Sequence, residues 1–392
     1  MFSKNINFEN FKKKKFKFNQ KKLKKILKDL IKGNNQIIFS LTKFYKDKYN
    51  KKILLKLKRK KKINVIGMGG SILGSRAIYN FLKPKNIEFN FIDSFQNENL
   101  KSKLQSKNLN LIISKSGNTL ETISNSNILI NKKNSNFFIT ENKKSYLMEL
   151  ANELKSEVIH HNNYIGGRYS VLSEVGMLPA ELMGYNPKRF RRLNDLVKNK
   201  SFINNLILNV SNINELIKKK KVNSIILNYD DRSKDFFNWY QQLVAESLGK
   251  KFKGILPVVS KMPADNHSLM QYYLDGAKNH FFTFFFVKDK SFESINKKNL
   301  LYSYKYLNGK SLNDISFSQF LATKKIFEKK NIPFRSFYIK NRNEECLGEL
   351  FSFFILETIL LGKLMKINPF DQPAVELIKK ETKKILISKK NS

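Results

Sequence analysis

The chain is predicted to fold as two α/β domains in tandem, each a mainly parallel sheet flanked by helices in three layers. Three observations carry that expectation. Short apolar runs alternate with amphipathic helical patterns, each run is followed by a polar or glycine-bearing turn, and after about residue 200 the alternation restarts.

The 392 residues suffice for two sizeable cores. Residues 1–46 read as a basic helical arm: Leu23, Ile26, Leu27, Leu30 and Ile31 recur at helical spacing among lysines, and Gly33–Asn35 ends the pattern. Such a helix docks on the protein's own body more often than on a membrane. The first domain, 47–195, takes its strands from Val65–Ile66, Phe89–Ile92, Leu109–Ile113, Phe137–Ile139 and Val158–Ile159. The second, 196–366, takes them from Ile225–Leu227, Ile255–Val259, Phe281–Val287 and Phe334–Ile339, with helices near Phe236–Ser247, His267–Tyr273 and Leu347–Met365. That last window is the most apolar, but Glu349, Glu357 and Lys363 make it a buried helix rather than a membrane span. Residues 367–392 form a C-terminal helix, its start signalled by Asp371 and Pro373, with Val375, Ile378 and Ile385 as the expected buried stripe. The two halves share no strict sequence repeat.

The lone cysteine, Cys346, excludes a disulfide within the chain, and the charged N-terminus does not resemble a signal peptide, so a cytoplasmic protein without membrane contact is expected. The net charge of +42 invites a nucleic-acid partner. Lys, Asn, Ile and Phe are abundant together, however, as in an AT-rich coding sequence. Lysine runs at Lys12–Lys15, Lys58–Lys62 and Lys218–Lys221 are dispersed, and no nucleic-acid motif accompanies them, so no nucleic-acid partner is expected.

Five stretches carry chemistry. Asn64–Phe81, NVIGMGGSILGSRAIYNF, reads as strand, glycine turn and helix, a turn that can seat an anion on free N–H groups. It matches neither the dinucleotide fingerprint nor the P-loop, and alone it is equally a plain glycine-rich turn. Ser114–Thr122, SKSGNTLET, sets hydroxyls around a second turn at a helix start, either a phosphate seat or a capped loop. Ligands of open α/β sheets bind outside the carboxyl ends of the strands, so the two turns should lie side by side. In Gly166–Pro179, GGRYSVLSEVGMLP, two glycines let Arg168 enter a crevice and meet an anion, the alternative being a surface arginine. In Trp239–Lys250, WYQQLVAESLGK, Gln242 and Glu246 share a helix face, and apolar neighbours would raise the proton affinity of Glu246, suiting it to act as a base. Read alone it is an ordinary surface Glu. Finally, His267 stands at a helix start, and the tail helix within NPFDQPAVELIKK places Gln372 at its mouth and Lys379 seven residues on.

Together these motifs resemble the glucose-6-phosphate isomerase (phosphoglucose isomerase) family, in order and over about Val65 to Lys379. The resemblance implies two sugar-isomerase (SIS) domains and reversible isomerisation of glucose 6-phosphate and fructose 6-phosphate, by ring opening and proton transfer between C1 and C2 through a cis-enediol. It implies no metal and no organic cofactor, and a homodimer with shared active sites. Carried over by motif, Gly70, Ser71, Ser114, Lys115, Ser116 and Thr119 resemble the phosphate site, and Gln242 and Gln372 the substrate-contacting glutamines. Arg168 resembles the arginine that stabilises the enediolate, and Glu246 the base. His267 resembles the ring-opening histidine, which in this family comes from the neighbouring subunit, and Lys379 its lysine partner.

The chain departs from the family at Asn266, where Gln is usual, at Pro263–Ala264–Asp265 in place of glycines, at Asn118 for Thr, and at Ala374 for Gly. Rival readings are a non-catalytic sugar-phosphate regulator, which has little reason to keep Arg168, Glu246, His267 and Lys379 together, and an isomerase that also accepts mannose 6-phosphate. An amidotransferase with similar domains would require an N-terminal cysteine, a role Cys346 cannot fill.

Overall fold

A computed structural model of the chain describes residues 5–12, 17–95, 108–130, 135–289 and 293–388, and Lys13–Lys15 of the first basic run lie outside them. Strands β1 (Ile6–Glu9), β2 (Lys62–Gly67), β3 (Glu88–Ile92), β4 (Leu109–Ile113), β5 (Ser135–Thr140), β6 (Glu157–His160), β7 (Asn223–Asn228), β8 (Leu256–Lys261), β9 (His280–Val287) and β10 (Phe334–Ile339) make two five-stranded sheets. The first, ordered β3-β2-β4-β5-β6, is parallel throughout. The second, ordered β1-β10-β9-β7-β8, is parallel except at β1. Counted from its first parallel strand, each sheet is wound in the same sense, with the chain order reversing beside that strand. The restart seen in the sequence is therefore a repeat of topology.

Register in the first sheet is held by a ladder of asparagines. Asn90, Asn64, Asn110 and Asn136 stand opposite one another on β3, β2, β4 and β5. Asn64 Nδ2 donates to Asn110 Oδ1 at 2.9 Å, Asn110 Nδ2 to Asn136 Oδ1 at 3.0 Å, and Asn90 Nδ2 to Asn64 Oδ1 at 3.3 Å. A slip of one residue would break every rung, so the ends of β2 and β4 are aligned. Gly67 faces Ile113 across that pair, and the two candidate anion turns leave the sheet together.

Helices α1 (Lys17–Lys32), α2 (Leu73–Leu82), α3 (Leu120–Leu129), α4 (Glu174–Leu182), α5 (Lys200–Lys218), α6 (Lys234–Leu248), α7 (Glu344–Leu364) and α8 (Val375–Ser388) cover or extend these sheets. The expected helix at Leu347–Met365 is α7, buried over nearly its full length. Its Glu357 is neutralised by the buried Arg335 of β10, which also donates to Asn209 Oδ1 at 3.0 Å and Thr283 Oγ1 at 2.9 Å. Buried charge of this kind survives only when paired and hydrogen-bonded. Between the sheets α2 packs on α6, where Arg76 reaches Asp235 at 3.2 Å and Arg232 donates to the Phe81 carbonyl at 2.8 Å. Among the described residues no helix is long and apolar enough to cross a membrane.

Two expectations are corrected. Residues 6–9, read as part of a separate arm, form β1 and pair with β10, because four residues alternating about Phe8 close the open edge of the second sheet. Helix α1 meets α5, with Leu23 and Leu27 buried. At the other end Val375, Ile378 and Ile385 are exposed, not buried. Among the described residues none of the side chains of α8 is buried, although Val375 at its start borders a cavity shared with Ala245 and Phe252.

Candidate active site

Four segments, distant in sequence, meet where the sheets face each other. The turn Gly69–Ser71 follows β2, and Gly69 takes a φ of +52°; a Cβ there would sit 2.6 Å from Gln242 Nε2. A Cβ on Gly70 would lie 2.1 Å from the Gly167 carbonyl carbon. Glycine is therefore required for this turn to touch both the Arg168 loop and α6.

The second turn gathers hydroxyls at a helix start. Thr119 is the N-cap of α3, yet its side chain does not cap the helix. Its hydroxyl lies 2.9 Å from the Ser114 hydroxyl, and Ser114 Oγ accepts the Gly117 N–H at 3.2 Å. The first turn of α3 is thus left without a side-chain cap, and its N–H groups and dipole suit a phosphate. Ser116, in the same turn, and Ser71, in the turn after the adjacent strand β2, are half-buried, and Ser116 Oγ accepts the Asn118 N–H at 3.3 Å. Lys115, expected in this cluster, turns aside: its ammonium donates to the Asn163 carbonyl at 2.9 Å and faces Glu141 at 3.4 Å, a buried carboxylate that draws it away.

Arg168 is the hub. Only 2% exposed, it donates from Nε to Ser247 Oγ at 2.8 Å, from Nη1 to Glu246 Oε2 at 3.2 Å and Gln372 Oε1 at 2.7 Å, and from Nη2 to the carbonyls of Pro369 at 2.7 Å and Asp371 at 3.0 Å. Gln242 Nε2 donates to Glu246 Oε1 at 3.0 Å. The apolar setting expected for Glu246 is corrected: Leu243, Val244 and Leu248 point into the core, while the carboxylate meets Arg168 and Gln242 and stays 30% exposed. It opens on a cavity of about 800 Å³ lined also by Lys250, Asn368, Asp371 and Gln372, and Lys250 holds the Asp371 carboxyl below its usual range. Across Phe370 a larger cleft of about 990 Å³ reaches Gly166 and Lys115. Among the buried side-chain atoms with no hydrogen-bond partner are Thr122 Oγ1, on the first turn of α3, and Gln242 Oε1.

His267 and Lys379 are not brought in. His267 is exposed on a short 3₁₀ turn, and Lys379, on α8, pairs with Glu376 at 2.6 Å. Among the described residues no hydrogen bond or ion pair joins either to Arg168 or Glu246. No cluster of His, Cys, Asp or Glu among the described residues is arranged to hold a metal.

One buried pair was not foreseen. His161 Nδ1 lies 2.6 Å from Glu174 Oε1, its Nε2 donates to the Ile165 carbonyl at 2.9 Å, and Tyr45 and Asn162 N–H also donate to Glu174. This pair staples together the two ends of the loop that carries Arg168. Burial alone would raise the Glu174 carboxyl, but His161 and the Asn162 N–H outweigh it and hold the group below its ordinary value of 4.5. A depressed carboxylate stabilises the fold above that value and loses the contribution as pH falls through its folded value. Glu174→Gln should therefore cost about 1.5–3 kcal/mol at neutral pH, a gap that closes below about pH 4.5. Thermal unfolding of both proteins from pH 7 to 3.5 measures it, and a gap independent of pH would contradict the assignment.

The family model described as phosphoglucose isomerase matches residues 55–262. The glucose-6-phosphate isomerase of Methanocaldococcus jannaschii is 34% identical over 341 residues, covering 81% of this chain and 82% of that protein. That of Mycoplasmopsis pulmonis is 32% identical over 358 residues, covering 83% and 82%. Among solved structures, a hypothetical protein of Thermus thermophilus superposes with a TM-score of 0.80 at 22% identity, covering 94% of each chain. A glucose-6-phosphate isomerase of Chlamydia trachomatis does so with a TM-score of 0.68 at 20% identity, covering 87% and 72%.

Proposed function

The chain belongs to the phosphoglucose isomerase family, and on that premise we infer that it isomerises glucose 6-phosphate and fructose 6-phosphate reversibly. The observation that carries the reading furthest is the contact of Arg168 with both Glu246 and Gln372 at the mouth of a cavity of about 800 Å³, with the glycine turn alongside. In our assignment the phosphate is taken by the uncapped start of α3 with Ser114, Ser116 and Thr119, and by Gly70 and Ser71. Lys115 contributes charge from the rim. Glu246 takes the proton from C2 of the opened aldose and returns it to C1, since one base over both carbons serves a cis-enediol. Arg168 meets the charge that develops on the sugar oxygens, and Gln242 and Gln372 orient the hydroxyls.

Ring opening is assigned to His267 and Lys379 acting in a homodimer. Two features support that reading: both side chains are exposed with no hydrogen bond or ion pair to Glu246 among the described residues, and α8 presents Val375, Leu377, Ile378, Ile385 and Leu386 to solvent, apolar side chains suited to a second copy. In an assay coupled to a glucose-6-phosphate dehydrogenase, the protein should turn over fructose 6-phosphate, while Glu246→Gln and His267→Ala chains should each be nearly inactive. Unfolded and refolded together, the two should regain partial activity through hybrid dimers with one intact site. An inactive parent would overturn the function, and a fully active monomer by light scattering would overturn the shared site.

A further inference from the structure

All five N–H donors of Arg168 are already engaged within the protein, so any substrate oxygen must take the place of a present partner. The five partners are of two kinds. Glu246 and Gln372, both on Nη1, are side chains lining the cavity and can swing away. The remaining three are fixed: two backbone carbonyls on Nη2, and Ser247 Oγ on Nε, the last with no exposed surface. One edge of the guanidinium is therefore clamped, and the other is exchangeable.

The clamp has a defined direction. Ser247 Oγ accepts the Arg168 Nε–H at 2.8 Å and lies 2.8 Å from the Tyr169 hydroxyl, which donates to the Pro369 carbonyl at 2.9 Å. With the Tyr169 proton committed to Pro369, Ser247 must donate its own proton to Tyr169. The same Pro369 carbonyl also accepts from Arg168 Nη2, so the chain of hydroxyls closes a ring through the segment that carries Gln372. Trp239 Nε1 donates to the Arg168 carbonyl at 3.1 Å and fixes the backbone beneath. Tyr169 is also fully buried, and its ring lies 5.9 Å from that of Phe370.

We propose that Ser247 and Tyr169 are positioning residues for the isomerisation: their hydroxyl chain holds Arg168 so that only its Nη1 edge faces the reacting oxygens, and ties residues 369–372 to it. The proposal rests on the isomerase reading of this site. Neither residue lines the cavity, so both act through the groups they hold, Arg168 and the segment 369–372 that carries Gln372. Loss of Ser247 Oγ frees the buried Nε–H and lets the guanidinium turn, which weakens contacts made to the enediolate more than those made to the phosphate.

The test uses the full-length protein with fructose 6-phosphate and two ligands, a hydroxamate of the five-carbon sugar-acid phosphate that mimics the planar enediolate, and sorbitol 6-phosphate as an inert analogue. Ser247→Ala should lower kcat by about 10–100-fold with KM within about threefold, and should weaken the hydroxamate by the same factor as kcat while sparing sorbitol 6-phosphate. Tyr169→Phe should give the same split at smaller size. The double variant should be little worse than Ser247→Ala, because both interrupt one chain. Ser247→Cys, which keeps a weak acceptor of similar size, should recover part of kcat, and Tyr169→Phe carries the test alone if the alanine variant does not fold. A folded variant with kcat within about twofold of the parent, or equal weakening of both ligands, would overturn the proposal. An inactive parent would instead remove the reading beneath it.

Discussion

Replacing Glu246 by Gln should lower kcat by roughly 10²–10⁴-fold or more while substrate still binds, because Gln keeps the shape and hydrogen bonding of the side chain and removes only the proposed base. The surroundings are suited to this test. Glu246 Oε1 accepts from Gln242 at 3.0 Å and Oε2 from Arg168 at 3.2 Å, contacts that an amide oxygen can keep in part. Ring opening is assigned to other groups, His267 and Lys379, so the variant should still interconvert the anomers. Following deuterium from solvent into C1 of fructose 6-phosphate by NMR, alongside anomerisation, separates the two steps. Exchange at the parent's rate would mean that Glu246 is not the base.

The second large effect is expected at the phosphate. Ser114 and Thr119 hold each other at 2.9 Å beside a helix start that no side chain caps, and a dianion placed there would draw both hydroxyls onto itself. A charge-assisted hydrogen bond contributes roughly 1.5–3 kcal/mol, so Ser114→Ala with Thr119→Ala should raise KM by roughly 10²–10⁴-fold. Inorganic phosphate, which competes for the same seat in the parent, should lose its inhibition in the double variant. An unchanged KM would remove the loop from the site.

The glycine turn, the hydroxyl turn, Arg168 and Glu246 were legible in the sequence because each follows a strand or opens a helix whose period is plain, and parallel topology then dictates which turns become neighbours. Less legible was whatever depends on direction. Periodicity marks Val375, Ile378 and Ile385 as one apolar face but does not say what covers it, and among the described residues all three stay exposed. Spacing puts Lys115 in the hydroxyl-rich loop, but the Asn163 carbonyl and the buried Glu141 decide where its ammonium points. The carbonyls of Pro369 and Asp371, which fasten Arg168, carry no residue signature at all, since every residue has a carbonyl. Ser247 did have a signal, its place directly after Glu246, but its neighbour in the motif drew the chemical reading. Strand β1 went unread because four residues are too few for a period to stand out.

That short strand ties the order of synthesis to the order of folding. Ile6 pairs with Ile339, so one edge of the second sheet waits for a partner made at the opposite end of the chain. The first sheet, whose strands all lie between residues 62 and 160, can close while the ribosome is still at work. The second is completed later, and until β10 emerges the N-terminal strand must stay unpaired, with the slow, long-range closure that high contact order brings. The basic residues that follow it keep that waiting segment charged, and charge near an open edge opposes pairing with the wrong chain.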